Sequence, residues 1–238
     1  MRRQFLTAEW KNLIMANYII DPALLQPYLP YKTEPDTFEG NTYVSLVGFM
    51  FANTRVMGIK IPFHVNFEEV NLRFYVRYLE HGSWKRGVVF IKEIVPRAAI
   101  SIIANIFYKE KYCSMPMKNS LLNDAHEMKI GYQWKYKGQW NKLEAVAENI
   151  AQPLKAGSQE EFISEHYWGY SKYNEHATNE YEVKHPSWKV YPVKSYSIVC
   201  DFENLYGREF SFLQTTEPAS VFMAQGSQIS VSGKRPIR

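Results

Sequence analysis

Five alternate residues of one short stretch, Glu69, Asn71, Arg73, Tyr75 and Arg77, carry an acid, an amide, two guanidinia and a phenol. Residues two apart on an extended chain share a side, so these groups form one polar face. On an open sheet that face is solvated, and its cross-strand ion pairs are worth roughly a few tenths of a kcal/mol. In a closed barrel it lines a pocket, where buried Arg and Glu must be paired and can receive a small polar ligand. Period-two alternation gives the face but not its direction, and both readings stand. On the inward reading, Leu72, Phe74 and Val76 pack beneath helices outside the barrel, and Arg73 pairs with Glu69 or with Glu93. An anionic ligand then competes for Arg73 through a bidentate contact that lysine cannot copy. His64, in Pro62-Phe63-His64-Val65-Asn66, sits in the loop that opens into this strand. It reads either as a group near the pocket mouth or as a solvated loop histidine.

The chain has no phosphate-binding glycine loop, no Gly-x-Ser-x-Gly elbow, no His-Glu-x-x-His and no Cys-x-x-Cys. His166, His176 and His185 follow at intervals of ten and nine, which match no compact metal site. Each reads as a surface or hydrogen-bonded histidine, and neither metal nor cofactor is expected. Cys113 and Cys200 are expected to be buried free thiols.

The elements that must position the polar face follow from periodicity. Asn12 to Ile20 is a β-like run ending at Asp21-Pro22, where Asp21 caps a short helix from Ala23 to Tyr28 that Pro30 stops. Tyr43 to Phe51 reads as a strand, and from Val70 the alternation is period two. Gly87 to Val95 is apolar on both faces except at Lys92 and Glu93, which predicts a central covered strand. After Pro96 the period changes: Ile100, Ile103 and Phe107 share one face and Ala99, Ile102 and Ile106 another, predicting a buried helix over 98–108. Met128 to Tyr136 and Trp140 to Ala147 form a hairpin about Gly138-Gln139, and Ser158 with Glu161 opens a helix through Tyr167. Val190 to Phe202 and Phe210 to Leu213 read as strands, Pro218 to Gly226 as a helix, and Gln228 to Ser232 as a last strand.

Composition narrows the class. The 238 residues are 46% hydrophobic and 22% charged, so the chain is globular rather than disordered. The 17 Tyr, 14 Phe and 6 Trp beside only 12 Gly favour strands around a lined cavity over a helical bundle. The net charge of +4 is carried at the ends, by Arg2, Arg3, Lys234, Arg235 and Arg238; without these five, 23 basic residues face 24 acidic ones. A nucleic-acid-binding protein concentrates its basic excess on a folded face, so no nucleic acid is expected. The start reaches Glu9 and Lys11 with no apolar core, and the apolar stretch Gly40 to Thr54 is shorter than the roughly 20 residues of a membrane span. The expectation is a cytoplasmic protein without membrane contact.

Four motifs in order, Phe67-Glu68-Glu69-Val70-Asn71-Leu72-Arg73, Gly87-Val88-Val89-Phe90, Glu165-His166-Tyr167-Trp168-Gly169-Tyr170 and His185-Pro186-Ser187-Trp188, resemble the YqjF-like bacterial proteins of unknown function. The resemblance runs from Phe5 to Ser232. Those proteins are in turn similar to acetoacetate decarboxylase, and Asp21-Pro22-Ala23-Leu24-Leu25 with Leu29-Pro30 resembles that enzyme's early helix-and-proline segment. The likeness implies a β-rich cone or barrel around a small hydrophobic cavity, with Glu69 as a cavity-facing strand glutamate and Glu93 near a second acidic position. It also implies a Schiff-base lysine whose pKa a second lysine depresses, in a Glu followed by Pro-Lys-Lys. This chain has Glu110 and then Pro116-Met117-Lys118, with one extra residue between Glu and Pro. Met117 stands at the nucleophile position, and a thioether forms no imine. Lys118 matches only the auxiliary lysine; a slipped register brings it into the cavity, and otherwise it is a surface lysine. Lys92, in the central strand, reads as a snorkelling or paired lysine unless it turns inward.

The expected fold is therefore one α+β domain over residues 1–238, mainly an antiparallel β barrel or cone with a few helices and short basic tails. The expected function is binding of a small organic ligand, an anion being one option, by His64, Glu69, Asn71, Arg73, Glu93 and Lys118, without a Schiff-base lysine. The alternative is an altered enzyme of the decarboxylase-like class acting on a keto acid or another small carbonyl compound. A homo-oligomer stays open.

Overall fold

The computed structural model describes residues 4–238, the side chains at 100, 103, 104, 106 and 107 apart. Its first half supplies β1 (Gln4–Ile20), α1 (Pro22–Leu25), β2 (Thr33–Pro35), β3 (Thr42–Val56), β4 (Phe67–Glu80), β5 (Ser83–Val95), α2 (Ala98–Tyr108) and β6 (Tyr112–Ser114). There follow β7 (Met117–Asn123), β8 (Glu127–Tyr136), β9 (Gln139–Glu148), β10 (Gln152–Pro153), α3 (Gln159–Ser164), β11 (Trp168–Asn174) and β12 (Ala177–Lys184). The chain ends with β13 (Lys189–Tyr191), β14 (Val193–Val199), α4 (Phe202–Tyr206), β15 (Ser220–Ser232) and β16 (Arg235–Ile237).

The larger sheet runs β10-β13-β15-β1-β3-β4-β5-β11-β12-β16, with β2 beside β4 and β6 beside β5. Val183 and Lys184 of β12 also pair with Val231 and Ser230 of β15, so the path returns on itself as a barrel-like ring. Its joins are antiparallel except β5–β11 and β5–β6, which are parallel. A smaller antiparallel sheet, β14-β9-β8-β7, lies outside the ring.

The two sides of β4 explain this arrangement. Val70, Leu72, Phe74 and Val76 are fully buried in a cluster shared with Ile130, Tyr132, Trp134, Leu143 and Ala145 of the smaller sheet. Burying each such side chain contributes about 1.5–3 kcal/mol. The expected cover of helices is thus largely a second sheet, joined by Phe202 and Leu205 of α4 and by Phe210 and Leu213. The opposite side of β4 points into the ring.

Several local expectations hold. Asp21 accepts from Ala23 N at 2.9 Å with Pro22 opening α1, and a 3-10 turn, Gln26–Tyr28, completes the segment before Pro30. Ser158 Oγ accepts from Glu161 N, although the Glu161 carboxylate returns to Gly157 N rather than to Ser158. That helix stops at Ser164, short of Tyr167. The β8–β9 turn is Lys137-Gly138, one residue earlier than expected, with positive φ at both positions.

Others are corrected. Pro192, which has no N–H for a ladder, separates β13 from β14, and Phe202 opens α4 instead of closing a strand. Phe210 and Leu213, spaced by three, face inward from a 3-10 helix, Arg208–Gln214, and form no strand. The helix expected over Pro218 to Gly226 is the first half of β15. There Phe222 and Ala224 pair with Met15 and Leu13, and the strand-favouring Val221-Phe222 joins the ladder, so Pro218 and Gly226 bound no helix. Helix α2 exists, but the side chains of Ile100, Ile103, Ile106 and Phe107, on which its apolar circumference rests, lie outside what is described; Ile102 is exposed and Tyr108 buried. Arg2 and Arg3 of the N-terminal tail also lie outside them. The C-terminal end is no loose tail, since Arg235 in β16 meets Glu80 and Glu180. Among the described residues no helix is long and apolar enough to cross a membrane.

Candidate ligand-binding cavity

The ring encloses a cavity of about 170 Å³. One wall is aromatic, with Trp10, Phe49, Phe51, Phe67, Phe90 and Trp188. The other carries the inward face of β4: Glu69, Asn71 and Arg73 are 2%, 1% and 8% exposed and all line the space. Tyr75 continues this face, while Arg77 lies at the end of the strand, paired with Glu34 and stacked 4.2 Å from the Trp84 ring centre.

Glu93 reaches the same space through a change of register. Leu72 pairs with Lys92, yet Arg73 pairs with Phe90, so β5 carries one extra residue at Ile91–Lys92. Such a bulge reverses the parity of everything beyond it. Val88 and Phe90 face the ring at even positions, and Glu93 faces it at an odd one. Lys92 is thereby turned outward, where its ammonium meets the Leu205 carbonyl and lies 5.9 Å from the Tyr206 ring.

Glu93 and Glu110, which the polar strand does not supply, complete the wall beside Glu69. Glu110 accepts from Tyr181 OH at 2.8 Å, and Glu69 accepts from Asn71 Nδ2 at 2.9 Å and from Tyr112 OH at 3.1 Å. Burial pushes Glu69 up to about 7, against the pull of Asn71, Tyr112 and Arg73. Burial also pushes Glu110 up to about 8, with Tyr181 and Lys111 opposing and Glu69 adding to the rise. Glu93 rises well above the usual range through burial and the neighbouring Glu110 and Glu69 carboxyls, and its Oε2 has no partner. Near neutral pH this wall holds mostly uncharged carboxyls, which donate hydrogen bonds as well as accept them.

Arg73 differs from its expected role. Among the described residues it forms no salt bridge with Glu69 or Glu93, its Nε has no partner, and its guanidinium lies 5.6 Å from the Tyr75 ring centre. Burial raises both of the acids it was to pair with, Glu93 well above the usual range and Glu69 to about 7, which weakens their pull on the guanidinium. A buried cation without a carboxylate partner is costly by several kcal/mol, on the order of one broken buried pair.

The remaining expectations divide. His64 lines the cavity, half-buried, with Nδ1 2.7 Å from the Pro62 carbonyl. Lys118 does not line it: Pro116 accepts from Lys135 N, the chain passes onto the smaller sheet at β7, and Lys118 is exposed there 4.5 Å from the Trp140 ring centre. Met117 packs against the core between the sheets. The described residues lining the cavity include no lysine. Among the described residues no group of three or more His, Cys, Asp or Glu side chains is placed to hold a metal ion.

Sequence reading missed Asp36 and underrated His166. His166 is 6% exposed, lines the cavity, and places Nε2 3.1 Å from Asp36 Oδ2. Asp36 also accepts from Arg86 Nε at 2.6 Å. Membership of the Glu165-to-Tyr170 motif was the one signal that marked His166.

This ring and cavity define an acetoacetate decarboxylase-like fold. The chain superposes on acetoacetate decarboxylase from Legionella pneumophila with a TM-score of 0.66 at 14% identity, covering 98% of this chain and 87% of that one. An acetoacetate decarboxylase-like enzyme from Sphingomonas wittichii RW1 gives 0.65 at 11% identity, covering 99% and 94%. The enduracididine biosynthesis enzyme MppR complexed with pyruvate gives 0.63 at 11% identity, covering 99% and 91%. The chain itself belongs to the DUF2071 family of uncharacterized conserved proteins, which it matches over residues 7–228. It is 29% identical over 170 residues to the uncharacterized protein YqjF of Bacillus subtilis (strain 168), covering 71% of this chain and 66% of that relative.

Proposed function

We propose that the cavity binds a small organic anion, with its charged head on Arg73 and its apolar body among Trp10, Phe49 and Phe51, and that it does so without forming an imine. The observation that carries this reading is the buried Arg73 guanidinium in the cavity wall, which among the described residues forms no salt bridge and whose Nε has no partner. Burial raises the carboxyls beside it, which weakens their cancellation of that positive charge and, where they hold a proton, adds donors for a carboxylate. The volume suits a compact ligand, since an engineered cavity of about 150 Å³ takes benzene. Solved relatives of this fold include one with pyruvate bound, which supports a short carboxylic acid. The absence of lysine from the described lining residues supports non-covalent binding.

Trp10 and Trp188 in the wall make fluorescence a direct readout. Titration with pyruvate and benzoate is expected to saturate, and benzamide to bind far more weakly. Arg73→Lys keeps the charge but loses the two-pronged contact, so carboxylate binding should weaken about ten- to a hundredfold, the equivalent of about 1.5–3 kcal/mol. Carboxylate binding that is indifferent to both Arg73→Lys and Arg73→Leu would overturn the reading.

A further inference from the structure

The loop that joins β3 to β4 turns its large apolar side chains into solvent: Met57, Ile59 and Phe63 are 54%, 68% and 82% exposed. We propose that this loop docks on an anionic lipid bilayer, with Met57, Ile59 and Phe63 entering the headgroup layer and Arg55 and Lys60 meeting lipid phosphates. The loop serves this role whatever the cavity holds. The expectation of no membrane contact rests on stretches long enough to span, and a loop that only enters the surface needs none.

Local backbone preference does not put these side chains there. Val56 and Ile59 bridge a two-residue turn in which Met57 and Gly58 have φ of 51° and 85°. Such a turn favours Asn before Gly. Phe63 stands at φ 65°, a conformation that bulky side chains seldom adopt. Both positions therefore hold a large apolar side chain against its backbone preference and in contact with water. No burial within the chain offsets this, and a bilayer surface supplies it.

Charge selects the kind of surface. Residues 53–66 include Arg55 and Lys60 and no acid. The outer groove beside the loop adds Lys184, 3.6 Å from Glu182, and holds one acid, Glu9, which Lys11 engages at 2.7 Å. A self-complementary contact between two copies would bring the same bases together, which disfavours it. Anionic lipid attracts them, by about fivefold in affinity for each basic residue at the surface. The loop also rims the cavity, which Val56, Ile61 and His64 line together with Phe5, Leu6 and Ala99. Ile102, one turn beyond Ala99 on the same side of α2, is exposed as well. The exposed apolar tip is thus continuous with the aromatic interior.

Flotation of the full chain with lipid vesicles is the test. The chain should float with equimolar phosphatidylcholine–phosphatidylglycerol vesicles in low salt, much less in high salt, and not with phosphatidylcholine alone. Phe63→Ser should weaken vesicle binding at least about tenfold, and Lys60→Gln about fivefold. Leu122→Ser, at an exposed position of β7 on the smaller sheet, should change nothing. Vesicle composition and salt act on the wild-type chain, so the test stands even where Phe63→Ser does not fold. No flotation, equal flotation with both kinds of vesicle, flotation untouched by Phe63→Ser, or flotation lost equally in Leu122→Ser would overturn the proposal. So would sedimentation showing a dimer that Phe63→Ser dissociates, since a second copy would then cover the loop.

Discussion

Nδ2 of Asn71 lies 2.9 Å from Oε1 of Glu69, so the amide holds a buried carboxyl from two residues along the same side of β4. That hydrogen bond lowers the carboxyl's proton affinity, and burial overrides it. Glu69 at about 7 and Glu110 at about 8 bind protons in the folded chain that the unfolded chain, near 4.5, releases. Where the native state holds more protons, stability falls as pH rises.

The expected profile follows from those signs. Between about pH 4.5 and 6.5 the carboxyls lower stability with rising pH, while His166, neutral when folded and protonated when unfolded, raises it. Above about 6.5 only the carboxyl effect remains among these groups. Urea unfolding should therefore show a loss of at least about 2 kcal/mol between pH 6.5 and 8.5. Glu110→Gln should flatten that slope. Stability that rises up to pH 8.5 would contradict the buried acid wall.

Gly169, in the Trp168-Gly169-Tyr170 motif, has a steric role at the same wall. A methyl group there would meet the Tyr181 ring at 2.1–2.4 Å, and that ring's hydroxyl holds Glu110. Gly169→Ala should cost about 1–3 kcal/mol by overpacking, measured as a lower urea midpoint. An unchanged midpoint would show that Tyr181 moves freely.

Imine chemistry should be absent. Met117 has no amine, Lys118 lies over Trp140 on the smaller sheet, and Lys92 is turned toward Leu205. Borohydride treatment with acetoacetate, followed by peptide mass mapping, should leave both lysines unmodified. A stoichiometric adduct on either would restore the Schiff-base reading.

What the sequence disclosed, and what it withheld, follows from the range of each interaction. The alternation of β4 and the Asp21-Pro22 helix start are local, and both were legible. The direction of the β4 face became readable only through the family resemblance. The bulge at Ile91–Lys92 depends on pairing with Leu72 and Arg73, so the inward turn of Glu93 could be reached only by that resemblance and not by counting residues. His166 is held by Asp36, 130 residues away, and no spacing rule spans that distance. The helix expected in β15 failed for the same reason, since its partners lie in β1.

The central claim is that a small organic anion sits inside the ring with its charge on Arg73, and a crystal grown with 4-bromobenzoate tests it most directly. Anomalous scattering should place bromine among Trp10, Phe49 and Phe51, with the carboxylate within hydrogen-bonding distance of the Arg73 guanidinium. Bromine found only outside the ring, or a carboxylate inside it that turns away from Arg73, would contradict the account.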